Sequence, residues 1–243
     1  MLRLHDFCAL VNVHLAHHLT WPVGDALQLA EIGFARAGFP RTISAVDGCH
    51  IAIRRPRANP NAYLNRKQYY SIILTAFCDS RRRFCHVTAG HPGSWHDARA
   101  FRHTAVATAL AEEPRSLVPE GMHIIGDSAY PLLPQLMKPY RDNGHLTARQ
   151  RRFNQRLHSA RVVIEHAFGL LKGKFRRLNY LYMARVEDIS RAVTACCILH
   201  NICIEPADGP DAEDAAVFDV VEHVEPHENP QAAAYKDELC NNF

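Results

Sequence analysis

The sequence predicts an α/β domain: a mixed five-stranded sheet flanked by helices, with helices leading in and an acidic tail following. Three observations carry that expectation. Residues 42–53, 69–78 and 84–89 are β-rich or continuously apolar and joined by short links, the pattern of an antiparallel meander. Residues 97–112 then place small and apolar residues at helical spacing before a further strand, MHIIGD at 122–127, so that strand arrives by a crossover. Residues 147–175 form one long helical run.

In chain order, residues 1–40 are a helical lead-in. Segments 4–19 and 25–37 carry Leu4, Phe7, Leu10 and Val11, then Leu27, Leu29, Ile32 and Phe34, broken by Trp21-Pro22 and Gly38-Phe39-Pro40. Residues 41–204 form the main domain. Within it, YYSIILTAFC at 69–78 has the unbroken apolarity of a strand covered on both faces, and FCHVTA follows after the turn DSRRR. Residues 136–140 read as a short edge strand bounded by Pro134 and Pro139, and 186–204 as the last helix. Residues 205–243 are acidic and Pro-punctuated, the composition of a disordered tail.

Composition excludes several classes. With 243 residues, 47% apolar and 22% charged, the chain can bury a full core, and no run approaches the ~18 apolar residues of a membrane span. The first residues contain Asp6 and several histidines and no small-residue cleavage site, so an intracellular protein is expected. Eight cysteines without a CxxC pair suit buried reduced thiols. Charge is divided unevenly: residues 1–204 hold 27 bases against 14 acids, the last 39 residues one base against 11 acids. The body has the charge of a polyanion binder, and the tail opposes it, either as a mask or simply as a solvated segment.

Three carboxylates stand where a carboxylate is costly. Asp47 follows the apolar run 43–46 at Gly48, Asp127 follows Ile124-Ile125-Gly126, and Glu165 lies in RVVIEHAFGLLKGKF. Along that helix Ile164, Phe168, Leu171 and Phe175 form an apolar stripe, while His158, Arg161, Gly169 and Lys172 share the face of Glu165. Clustered carboxylates persist only when protonated or neutralised by cations, and hard divalent ions are the natural neutralisers. A fourth acid, Asp97, opens the 97–112 helix beside His96 and Ser94. It suits either a helix N-terminus or a metal site.

The strings VDGCHIAI, YYSIILTAFCDSRRRFCHVTAGHPGSWHDARAF, GDSAYPLLPQLMKPY, FNQRLHSARVVIEHAFGLLKGKFRRL and CCILHNIC resemble, in order, the blocks of Harbinger-type DDE transposases and the nucleases derived from them. The resemblance runs from about Trp21 to Ile204. It implies an RNase H-like core, a catalytic triad of Asp47, Asp127 and Glu165, and two divalent ions, Mg²⁺ or Mn²⁺, held by these acids with Asp97. The expected reaction is DNA phosphodiester hydrolysis, or strand transfer when a DNA 3′-hydroxyl replaces water. The alternative is a domesticated adaptor that binds DNA without cutting it. Family members normally carry a helix-turn-helix region before these blocks, and self-sufficient target recognition is not expected here. The resemblance to domesticated relatives implies a separate Myb-like partner for specificity and a nuclear location, and self-association stays open.

Basic residues flank the acids. Arg54, Arg55, Arg57, Arg66 and Lys67 follow the first strand, and Arg161, Lys172, Lys174, Arg176 and Arg177 surround Glu165. Of these, Arg54, Arg55, Lys67, Arg161, Lys172, Lys174, Arg176 and Arg177 are the expected phosphate contacts, without a base-reading element. Cys196, His200 and Cys203 share a helix face at zinc-ligand spacing but lack an evident fourth ligand, so core packing is the better reading. His50, His86 and His91 are expected to be satisfied polar groups near the site.

Overall fold

The structure is a computed structural model, and it describes residues 4–183, 185–204 and 229–242. The lead-in contains α1 (Leu4–His14), a 3₁₀ turn at Ala16–His18, and α2 (Gly24–Arg36). Then come β1 (Thr42–Ala52), β2 (Ser71–Cys78) and β3 (Phe84–Pro92), followed by α3 (Asp97–Arg102), α4 (Ala105–Glu112) and α5 (Pro114–Leu117). The chain continues through β4 (His123–Ile125), β5 (Leu136–Met137), α6 (Ala148–Lys174), α7 (Val186–Cys203) and α8 (Pro230–Asn241).

The sheet order is β3-β2-β1-β4-β5. β1 pairs antiparallel with β2 and β2 with β3, whereas β1–β4 and β4–β5 are parallel. This is the mixed sheet expected for an RNase H-like core. All eight residues of β2 are buried, because helices cover both faces of the sheet. On one face, α6 and α7 pack Phe153, Leu157, Ile164, Phe168, Ile189 and Val193 against Ala45, Ile51 and Leu74. On the other, α3 and α4 contribute Phe101, Val106 and Leu110 against Ile43, Val46 and Phe77. α6 starts with a capping box in which Thr147 Oγ1 accepts from Gln150 N–H and Gln150 Oε1 accepts from Thr147 N–H.

Two expected helices divide. The 97–112 run breaks at Thr104, whose Oγ1 donates to Phe101 O and accepts from Ala107 N–H, ending α3 and capping α4. The 4–19 run ends its α-helix at His14 and tightens into a 3₁₀ turn.

The expected disorder after residue 204 needs correction at its end. Residues 205–228 lie outside the described residues, but 229–242 form a docked helix. Asn229 Oδ1 caps α8, and Ala232, Leu239 and Cys240 join the core on the α6 side of the sheet. Lys236 is buried, lies 3.9 Å from the Tyr140 ring centroid and donates to Pro139 O, while Tyr140 Oη donates to Asp237 Oδ1 at 2.7 Å. Acidic composition before the helix hid a local signal, the Asn-Pro start followed by three alanines.

Candidate active site

Parallel pairing of β1 with β4 brings the first two acids together. Ala45 is the register partner of Ile125, the last residue of β4, so Asp47 within β1 and Asp127 just past the end of β4 come together, close enough for the Asp47 charge to raise the Asp127 carboxyl. Asp47 Oδ1 accepts from Gly48 N–H at 2.8 Å, and Asp127 Oδ1 accepts from Ala129 N–H at 2.9 Å. One oxygen of each carboxylate is thereby fixed by the backbone.

Asp97 joins from the other face. It is the first residue of α3, and a Cβ built on Gly48 would lie 2.3 Å from Asp97 Oδ1. The glycine after Asp47 is therefore a requirement of close approach: any side chain there would push the Asp97 carboxylate away.

The fourth acid arrives on α6. The helix buries Phe153, Leu157, Ala160, Ile164, Ala167, Phe168 and Leu171 and so presents Arg161 and Glu165, one turn apart, at the sheet. Arg161 Nη2 donates to Asp47 Oδ2 at 2.7 Å and lies 3.3 Å from Glu165 Oε1. Those two oxygens are thus no farther apart than the sum of the contacts, about 6 Å. Asp47 and Glu165 thus share one guanidinium, on a side chain only 13% exposed, while Asp127 and Asp97 lie close enough to feel the charges of Asp47 and Arg161.

Electrostatics records the crowding. Burial, then the charges of Asp47 and Asp127, push the Asp97 carboxyl up to about 7. Asp127 rises to about 6, again through burial first and Asp47 second, with Arg161 and the backbone donors pulling the other way. Burial works against the Arg161 charge, but Asp47, Asp127 and Glu165 overcome it and hold the guanidinium protonated. One cation does not neutralise four part-buried carboxylates, so two of them drift towards the protonated state.

The structure departs from the sequence reading at three residues. The sequence places Arg161 with the phosphate contacts, whereas the structure turns it inward between Asp47 and Glu165. Lys172 also turns inward, donating to His50 O at 3.0 Å. Tyr130 was not singled out. It is fully buried in the α3 side of the core, its hydroxyl has no hydrogen-bond partner, and it feels the charges of Asp97, Asp47 and Asp127. The strand-proximal string GDSAYP was its only signal.

Arg54, Arg55, Lys67, Lys174, Arg176 and Arg177 are exposed, and Lys174 Nζ donates to Cys203 O. His50 and His86 are satisfied, through Ser71 Oγ at 2.9 Å and Thr88 Oγ1 at 3.2 Å. His91 is not: it stacks on Trp95 with ring centroids 5.0 Å apart, and its Nδ1 is buried without a hydrogen-bond partner. His200 faces Arg82 O at 3.0 Å through Nε2, which therefore carries the proton, and Asn201 bridges His18 O and both backbone groups of Phe84. The segment CCILHNIC is a core helix in which Cys197 is buried and Cys203 exposed.

The family model described as DDE superfamily endonuclease matches residues 46–201, a span that contains all four acids. The chain belongs to this family. DDE endonuclease relatives include "Protein ALP1-like" of Arabidopsis thaliana, 31% identical over 206 residues, 79% of this chain and 50% of that protein. "Putative nuclease HARBI1" of Homo sapiens is 32% identical over 181 residues, 71% of this chain and 48% of that protein. The corresponding protein of Rattus norvegicus is 31% identical over 183 residues, 73% of this chain and 50% of its own length. The chain thus spans about half the length of the curated relatives it matches, and these matches agree with the Harbinger-type resemblance of its blocks. No solved structure matches it.

The residues fit a hard cation. Among the described residues no group of three or more His, Cys, Asp or Glu side chains already stands as a metal-binding cluster, since Arg161 occupies the space between Asp47 and Glu165. The donors are all carboxylate oxygens, however, and their negative charge exceeds what Arg161 neutralises. That is the donor set of Mg²⁺ or Mn²⁺ rather than of zinc.

Proposed function

We propose that this DDE endonuclease chain is a divalent-metal-dependent nuclease that acts on DNA in the nucleus, by hydrolysis or strand transfer. The observation that carries the reading is that Arg161 bridges Asp47 and Glu165 while burial and the charge of Asp47 drive the neighbouring Asp97 and Asp127 towards protonation. An adaptor needs a basic surface. It does not need a cluster of part-buried acids that one arginine only partly neutralises, which costs stability and is kept where chemistry uses it.

Asp47, Asp127 and Glu165 would hold the ions, with Asp97 beside them. When bound, the ions supply activation of the attacking oxygen and stabilisation of the departing one. The chain's own residues do the rest. Gly48 and Ala129 N–H groups lock one oxygen of Asp47 and of Asp127, so each carboxylate enters the site in one orientation. Arg161 keeps Asp47 and Glu165 in register across the sheet–helix gap. Exposed Arg54, Arg55, Arg176 and Arg177 provide phosphate contacts at the far end of the strand that carries Asp47. Target recognition through a separate Myb-like protein is part of the same proposal.

The test is incubation with supercoiled plasmid. Nicking in Mg²⁺ or Mn²⁺ that stops in EDTA is the expected result; DNA binding without nicking in either ion supports the adaptor instead. A pH series adds an independent measurement. The folded-state values of Asp97 and Asp127 lie above their ordinary value of 3.8, so the fold favours the protonated forms. Stability contributed by those protons is complete below about pH 4 and is lost as pH rises through 6 to 7. Metal binding needs the deprotonated forms. The gain in melting temperature on adding millimolar Mg²⁺ is therefore expected to grow between pH 5.5 and pH 8, and a gain that stays constant contradicts it. His50, His123 and His200, lowered by burial to about 4, 3 and 4, work in the opposite sense below pH 6.5, which is why each pH is compared with and without the ion.

A further inference from the structure

The segments that leave the site acids are unusual in charge. No Asp or Glu occurs between Asp47 and Asp79, or between Glu165 and Glu187, and each interval holds five Lys or Arg. The fold joins these two intervals. Ile53 pairs with Leu181 as a parallel bridge, Arg54 N–H donates to Leu181 O, and Leu181 N–H donates to Ala52 O. Leu181 is buried on the inner side of this strand-like stretch, so the alternation of an extended chain sends its neighbours outward. Those neighbours are aromatic: Tyr180 is 50% exposed and Tyr182 65% exposed.

Arginine and tyrosine interleave there. The Arg54 guanidinium lies 4.8 Å from the centroid of the Tyr182 ring, and Arg55 lies 5.9 Å from that of Tyr70. Tyr180 and Tyr182 rings are 6.5 Å apart. Arg176 and Arg177, both exposed, open the 3₁₀ turn Arg176–Asn179 that leads into Tyr180. β1 runs directly from Asp47 to this patch, seven residues or ~23 Å away along the strand.

We propose that Tyr180 and Tyr182, framed by Arg54, Arg55, Arg176 and Arg177, form a stacking platform for unpaired DNA bases several nucleotides from the site of cleavage. This deepens, and rests on, the reading of the chain as a DNA nuclease. Duplex backbone needs only the cations, because stacked and paired bases offer no free ring face. Exposed rings beside arginines serve single strands, where each base presents a π-face to tyrosine and a phosphate to guanidinium. An acidic protein partner would use the same charges but not the bases.

Binding is measured by fluorescence anisotropy in EDTA, so that cleavage plays no part. The probes are one labelled 20-base-pair duplex made blunt, with a six-nucleotide single-stranded overhang, and with an overhang of abasic sites. The expected order is overhang tighter than both abasic overhang and blunt duplex, by roughly 5- to 100-fold for each stacked base. Tyr180→Ala/Tyr182→Ala removes that preference and leaves blunt-duplex binding unchanged, and Tyr182→Trp retains it. Equal affinity of the unaltered protein for ordinary and abasic overhangs overturns the platform while leaving DNA binding intact. Absence of binding to all three probes at low salt overturns the nuclease reading along with it.

Discussion

Asp127→Asn reduces metal-dependent plasmid nicking by at least ~10²-fold and, in EDTA at pH 8, raises the melting temperature. Loss of a partner outside the ligand shell already costs ~10–100-fold in many metal enzymes, and a ligand's own charge counts for more. Asparagine keeps the Oδ1 acceptor that Ala129 N–H uses, so the turn after β4 survives. What disappears is one of the crowded charges. Since Asp127 stands near 6 rather than 3.8, and also raises Asp97, removing it relieves on the order of 1–3 kcal/mol at pH 8, or several degrees for a chain of this size. Nicking that persists at the original rate sinks the role of Asp127. A lower melting temperature in EDTA sinks the account of repulsion.

Arg161→Met has the opposite signature. It removes the guanidinium that bridges Asp47 and Glu165 and keeps much of the aliphatic stem. Breaking a buried pair by removing one partner costs about 3–5 kcal/mol, because the charge left behind is unpaired. At ~2–4 °C per kcal/mol the melting temperature in EDTA at pH 8 falls by roughly 6–20 °C. Two recoveries are expected. Lowering the pH to 5.5 protonates much of Asp97 and Asp127 and shrinks the deficit, and Mg²⁺ at pH 8 shrinks it by replacing the missing positive charge. A deficit indifferent to both marks Arg161 as ordinary packing. Together the two variants separate what the acids do for catalysis from what they cost the fold.

Much of the architecture was legible because it is local. Continuous apolarity marked β2 as buried on both faces, alternating small and apolar residues marked the crossover, and the stripe through Ile164, Phe168 and Leu171 oriented α6. Legibility failed where a single side chain overrode a period, as Thr104 does between α3 and α4, or where composition masked a short helix, as the acidic run before α8 does. His91 illustrates a third failure. Whether a buried ring nitrogen finds a partner depends on atoms far away in sequence, and here Nδ1 finds none.

Taken alone, the residues determined which carboxylates stand at the ends of apolar strands and on the helix face opposite a greasy stripe, because strand and helix periods are properties of neighbours. The ordered blocks then named the family to which those acids belong. Only the tertiary structure decided that Arg161 faces Asp47 across 114 positions of chain rather than a phosphate in solvent, and that Asp97 reaches the same place over Gly48. Distances of that kind follow from packing a helix on a sheet. Their energies follow from burial, which no single segment contains by itself.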